Sequence, residues 1–177
     1  MTSTSVPVLW LFGPSGVGKT TVGREICTRL GDSGVRCALI DTDMIGLCLP
    51  SNDDDPEHHN LKARNLGALW PAFQDAGAQC LILTGGVEDP DQVGRYVERL
   101  PGAGVTMCQL TLSEADHRAR IAERKGRSVA WADDLIAEGD ELNDVDFADV
   151  RVDTGGLSVA ESATQILLSA GGWPGVA

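Results

Sequence analysis

Residues 13–20 read Gly13-Pro14-Ser15-Gly16-Val17-Gly18-Lys19-Thr20, and this octapeptide decides the fold. It matches GxxxxGK[ST] in full, follows the apolar run Val6–Phe12, and opens a helical stretch from Lys19 to Leu30. Backbone N–H groups converge on phosphate oxygens only where the chain wraps tightly, which glycine permits, and a helix N-terminus adds partial positive charge. Gly13, Ser15, Gly16, Val17, Gly18, Lys19, Thr20 and Thr21 are therefore the candidate phosphate cradle. Within it Lys19 would reach the β- and γ-phosphates and the Thr20 hydroxyl would ligate Mg²⁺.

Outward from the loop, strand-like and helix-like segments alternate to the end of the chain. Val35–Ile40, Gln79–Leu83, Val105–Thr111 and Val150–Val152 read as strands. Leu61–Ala76, Asp89–Leu100, Ser113–Lys125, Val129–Leu142 and Leu157–Ser169 carry apolar residues at helical spacing. Such alternation implies βαβ units and an α/β domain with a mostly parallel sheet covered on both faces. Ser113, with Asp116 three residues on, approximates a capping box at one helix start.

A length of 177 residues suits a single domain, 1–177, with one core. Lys and Arg number 14 against 26 Asp and Glu, a net charge of −12, which is the wrong sign for gripping a nucleic-acid backbone. No apolar run reaches the roughly 18–20 residues that span a bilayer, so no membrane partner is expected. The opening MTSTSVPV lacks the basic and apolar regions of a secretory signal, and a cytoplasmic location is expected. Five scattered cysteines, Cys27, Cys37, Cys48, Cys80 and Cys108, include no CxxC pair and read as small buried hydrophobes.

The class of nucleotide enzyme narrows by elimination. No Asn-Lys-x-Asp base-reading motif is present, and Asp153-Thr154-Gly155-Gly156, which formally fits DxxG, comes too late to act as a switch. A transport ATPase or a AAA+ machine needs more chain and further signatures, which leaves a small kinase. The sequence resembles the nucleoside-monophosphate-kinase-like group of P-loop kinases, in its adenylylsulfate kinase, gluconate kinase and chloramphenicol phosphotransferase branch. It is also similar to small actinobacterial kinase-like proteins. The likeness runs from Val8 to Ala170. It rests on the phosphate loop, on Ile40-Asp41-Thr42-Asp43, on Leu61-Lys62-Ala63-Arg64-Asn65 leading a helix into Asp75-Ala76-Gly77, and on the Arg-rich segment Arg118–Arg127. The chain departs from adenylylsulfate kinases in lacking Asp-Gly-Asp-Asn after the second strand and in carrying Thr84-Gly85-Gly86-Val87 after the third. The resemblance implies a three-layer P-loop fold with a five-stranded parallel sheet in the order 2-3-1-4-5. It also implies ATP and Mg²⁺, an acceptor-binding helical region at about 44–77, a lid at about 118–130, a small-molecule hydroxyl as acceptor, and a monomer or homodimer.

Asp41 and Asp43 fall at the carboxyl end of the second strand, where open α/β sheets place their ligand crevice. Asp43 is the candidate catalytic carboxylate and Asp41 the candidate magnesium helper, with a simple turn or cap as the alternative. Arg64 is a candidate acceptor ligand because guanidinium geometry suits an anionic group; a solvated helix arginine is the alternative. His58 and His59 follow the acidic run Asp53-Asp54-Asp55-Pro56-Glu57 and read as a solvated loop, not as a metal site. Trp70 and Phe73 share a helical face suited to the core, with a wall of the acceptor pocket as the alternative. On the later Arg-rich helix, Arg120, Arg124 and Arg127 share one face, from which Arg124 and Arg127 in particular would neutralise charge on the transferring phosphoryl group; a surface helix paired with Glu114, Asp116 and Glu123 is the alternative. Asp153 reads as a helix cap, although the turn it opens passes beside the adenine in the resembled kinases. The rival to a kinase that phosphorylates a small molecule is a nucleotide-binding regulator or degenerate kinase. The two are separated by whether Asp43 and Arg64 line a second pocket facing the phosphates.

Overall fold

A computed structural model describes residues 5–123 and 146–175. Strands β1 (Val6–Phe12), β2 (Cys37–Asp41), β3 (Cys80–Thr84), β4 (Ala103–Thr111) and β5 (Val150–Asp153) form one sheet in the order β2-β3-β1-β4-β5, every pairing parallel. The expected order 2-3-1-4-5 is the one found. The helices are α1 (Lys19–Asp32), α2 (His59–Asp75), α3 (Pro90–Val97), α4 (Glu114–Glu123) and α5 (Val159–Ser169). The helix read over Val129–Leu142 lies outside the described residues. Among the described residues no helix is long and apolar enough to cross a membrane.

The central strand explains its own composition. Successive side chains of a strand point to opposite faces, so a strand covered on both faces is apolar throughout. Val8, Trp10 and Phe12 of β1 pack with Ala63, Leu66 and Trp70 of α2 and with Tyr96 of α3. Leu9 and Leu11 pack on the other face with Val22 and Ile26 of α1 and Ala163 and Ile166 of α5. Trp70 is thus core, with Phe73 packed at its edge.

The loop itself is forced against the sheet. Gly13 has φ 134°, and a Cβ there would stand 2.3 Å from the Leu110 carbonyl oxygen of β4, so only glycine lets the chain leave β1 this tightly. At the opposite crossing Gly85 meets Thr42 Oγ1 in the same way, a Cβ falling 1.8 Å from it.

Candidate active site

Helix α1 starts without a side-chain cap. Gly18, at φ 105°, precedes it in a left-handed conformation, and no acidic residue occupies the first turn. The orphan N–H groups of that turn are left to a ligand, and an anion satisfies them best. Lys19 Nζ donates to the carbonyls of Gly13 (2.7 Å) and Pro14 (3.0 Å), holding its charge over the loop. The Thr20 hydroxyl donates to Asp41 Oδ2 at 2.6 Å, and the Asp43 backbone N–H donates to Asp41 Oδ1 at 3.0 Å. A hydroxyl and a carboxylate side by side at a phosphate loop form a hard oxygen donor set of the kind Mg²⁺ takes. Thr20 and Asp41 therefore fit the metal that the fold implies. No carboxylate ends β3; Thr84 stands there, with its buried hydroxyl lacking a partner among the described residues.

Two recesses share the loop as a wall. One, of about 460 Å³, is bounded by Gly16, Val17, Gly18 and Thr21 on one side and by Leu157, Ser158 and Val159 on the other, with Arg120 between. Arg120 donates to the Val17 carbonyl (2.8 Å), to Thr154 Oγ1 (3.1 Å) and to the Thr154 carbonyl, so it fastens the loop to the turn after β5. The reading that sets Arg120 on one cationic face with Arg124 and Arg127 lies outside the described residues, which stop at 123 on this side. Arg118 pairs with Glu114 at 2.9 Å on the exposed side of α4. Asp153 accepts from the Gly155 N–H (2.8 Å) and so fixes the turn, while the cap of α5 is Ser158, in a full capping box with Glu161. The reading of Asp153 as a helix cap is corrected accordingly.

The second recess, of about 220 Å³, is lined by Ser15 and Lys19 of the loop together with Asp43, Glu57, His59, Lys62, Gly86 and Glu88. Asp43 thus faces the phosphate loop. Its Oδ1 accepts from Lys62 Nζ at 3.2 Å. Lys62 reaches that far because Gly46 leaves room: a Cβ on Gly46 would fall 2.1 Å from Lys62 Cγ. Arg64 is not brought here. It lines a different groove, beside Arg95 and Arg99 of the α3 region, and the cation next to Asp43 in this recess is Lys62.

The sequence reading of His58 and His59 as a solvated loop is overturned for His59. It is the first residue of α2, only 7% exposed, with Nδ1 2.8 Å from the hydroxyl of fully buried Tyr96. Burial, with Lys62 nearby, holds its pKa below the usual histidine value. The acidic run has a structural task as well: the Asp55 carboxylate accepts from the N–H groups of Asn60 and Leu61 and closes the start of α2. Among the described residues no group of three or more His, Cys, Asp or Glu side chains is arranged to hold a metal.

His117 is a residue that sequence reasoning passed over. Its ring is 3% exposed, and Nε2 meets the Ser15 carbonyl at 2.7 Å, bracing the loop from α4. The available signal was a histidine sharing the buried face of a helix with Arg120 and Ile121 at three- and four-residue spacing.

A parallel sheet in this order, carrying this loop at the end of its central strand, defines a P-loop nucleotide-binding protein. Residues 8–138 match a family model described as an AAA domain, and the chain belongs to that family. Its relatives are kinases of small molecules. The chain is 28% identical over 171 residues to shikimate kinase of Stenotrophomonas maltophilia, covering 92% of this chain and 91% of that protein. It is 29% identical over 171 residues to adenylyl-sulfate kinase of Staphylococcus carnosus, covering 90% and 81%. Among solved structures, the tunicamycin resistance protein of Deinococcus radiodurans superposes with a TM-score of 0.68 at 25% identity, covering 93% of this chain and 95% of that one.

Proposed function

We propose that this chain transfers the γ-phosphoryl group of ATP to a hydroxyl of a small molecule, in a single in-line step within the cytoplasm. What supports this above all is that the phosphate loop is a wall of two recesses at once, so a nucleotide and an acceptor can meet across Lys19. The base of the nucleotide occupies the recess between the loop and the start of α5, under Arg120. Lys19 exchanges its loop carbonyls for the β- and γ-phosphate oxygens. Asp43 accepts the proton of the acceptor hydroxyl, with Lys62 holding its carboxylate in place. Thr20 and Asp41 would hold Mg²⁺, which supplies charge neutralisation between the phosphates when bound. Arg124 and Arg127 are proposed to add positive charge at the transferring group when the segment that carries them closes. Of the two residues that separate the readings, Asp43 lines the second recess and Arg64 does not; a regulator that only binds nucleotide has no need of an acid facing the loop from there, so the position of Asp43 favours the kinase.

The test combines binding and turnover. With Mg²⁺ and a non-hydrolysable ATP analogue at a hundredfold its Kd, the wild-type protein should gain about 2.7 kcal/mol. Lys19→Ala should lose that gain while the ligand-free melting temperature stays close to wild type. ADP release that depends on an added hydroxyl compound is expected. Release that no such compound raises would favour the regulator.

A further inference from the structure

We propose that the acceptor carries an ammonium group, as an amino sugar or amino polyol does, and no anionic group. This rests on the kinase reading of the same site. The recess is located by the phosphate loop, through Ser15 and Lys19, and its remaining walls carry an unusual balance of charge. Three carboxylates, Asp43, Glu57 and Glu88, face it against Lys62, once Lys19 is committed to the nucleotide. Lys62 is itself neutralised by Asp43 at 3.2 Å. Arg64, which would suit an acceptor anion, lines another groove. An acceptor bearing a carboxylate or sulfate would meet like charge here, whereas an ammonium would be attracted by Glu57 and Glu88.

A second, independent observation concerns His59. Tyr96 is fully buried, and His59 Nδ1 is the one hydrogen-bond partner its hydroxyl has among the described residues. A buried O–H must donate, so Tyr96 donates to Nδ1 and the ring keeps its proton on Nε2. Nε2 has no partner among the described residues and, although His59 as a whole is more than nine-tenths buried, this atom is not sealed in the interior but opens to the recess that the residue lines. Kept neutral by its surroundings, His59 offers one N–H donor to an acceptor oxygen without adding positive charge. The recess therefore presents one neutral donor for a hydroxyl and two carboxylates for an ammonium. Its volume of about 220 Å³ lies below the range of roughly 300–1,000 Å³ typical of drug-sized ligands, which suits a single ring or short chain.

The experiment uses compounds matched in skeleton and different in charge: glucosamine, glucose and gluconate, with ethanolamine, ethylene glycol and glycolate as a second set. Binding is measured calorimetrically in the presence of Mg²⁺ and a non-hydrolysable ATP analogue, and transfer is measured separately with ATP. The amine should bind at least about tenfold more tightly than its neutral partner in each set, and the acid should bind weakest. Glu57→Gln combined with Glu88→Gln should flatten that ranking while leaving the affinity for the ATP analogue unchanged. An equal or reversed ranking, or no binding of either amine, would overturn the proposal. Transfer to a neutral or acidic member in preference would overturn it while upholding the kinase. An amine that binds tightly yet receives no phosphate would count against the kinase and leave the charge preference standing.

Discussion

Asp41 and Asp43 stand two residues apart and differ in what their oxygens touch. Both oxygens of Asp41 are engaged, one by the Thr20 hydroxyl and one by the Asp43 N–H. Asp43 gives one oxygen to Lys62 and keeps Oδ2 without a partner among the described residues. A fixed carboxylate suits a metal, and one with an open oxygen beside the loop suits a proton. Asp43→Asn should therefore lower kcat by about 10²–10⁴-fold and change the Kd for ATP by less than about twofold, which stopped-flow transfer and calorimetry would measure. Should ATP affinity collapse while transfer persists, the two roles exchange. His59 carries a second prediction, in pH. Its folded pKa lies below its unfolded value, so the unfolded chain binds more protons in the histidine range. The stability this contributes is full above the unfolded pKa of about 6.5 and is lost as pH falls toward the folded value. Urea midpoints between pH 7.5 and 5.5 should fall less steeply in His59→Gln than in wild type, and parallel curves would contradict the assignment.

At the level of elements, periodicity and turn chemistry located all five strands and the helices that flank the loop. Their ends moved by a few residues: β2 runs Cys37–Asp41 where Val35–Ile40 was read, and α3 is Pro90–Val97 where Asp89–Leu100 was read. Asp89 is the cap of α3, so the Asn/Asp/Ser signal was present but was counted as helix. The phosphate loop was legible because a backbone cradle needs glycine at fixed spacing. The acceptor side was less so, since Lys62, Glu57 and Glu88 meet only through the packing of α2 against β3 and its following turn. The brace from α4 illustrates the same point. His117→Ala should remove the donor to the Ser15 carbonyl and leave a buried gap, costing about 1–3 kcal/mol of stability. It should also weaken ATP binding several-fold, because the loop must then be ordered by the ligand. Chemical denaturation and calorimetry on one preparation would separate the two effects, and an unchanged Kd would make His117 a packing residue only.

Across the whole molecule the thiols report on how closed the structure is. Cys80 and Cys108 are buried, Cys27 and Cys37 are half-buried, and Cys48 is exposed, so it departs from the expectation of five buried thiols. Burial pushes the Cys108 thiol up to about 12 and raises that of Cys27, and the hydrogen bond with Cys80 raises Cys37. A native-state titration with a disulfide reagent at pH 8 should show one fast thiol, abolished in Cys48→Ser, and four more only on unfolding. Two or more fast thiols would mean that the sheet edge at β2 opens readily. The same sheet divides the molecule in another respect. The β1 face that carries Val8, Trp10 and Phe12 supports α2 and α3, on the side of the recess proposed for the acceptor, while Leu9 and Leu11 support α1 and α5, which border the recess proposed for the nucleotide. Side chains on one side of the sheet change without repacking the other. Descendants of such a chain can acquire a new acceptor by drift in one layer while their use of ATP stays under separate selection.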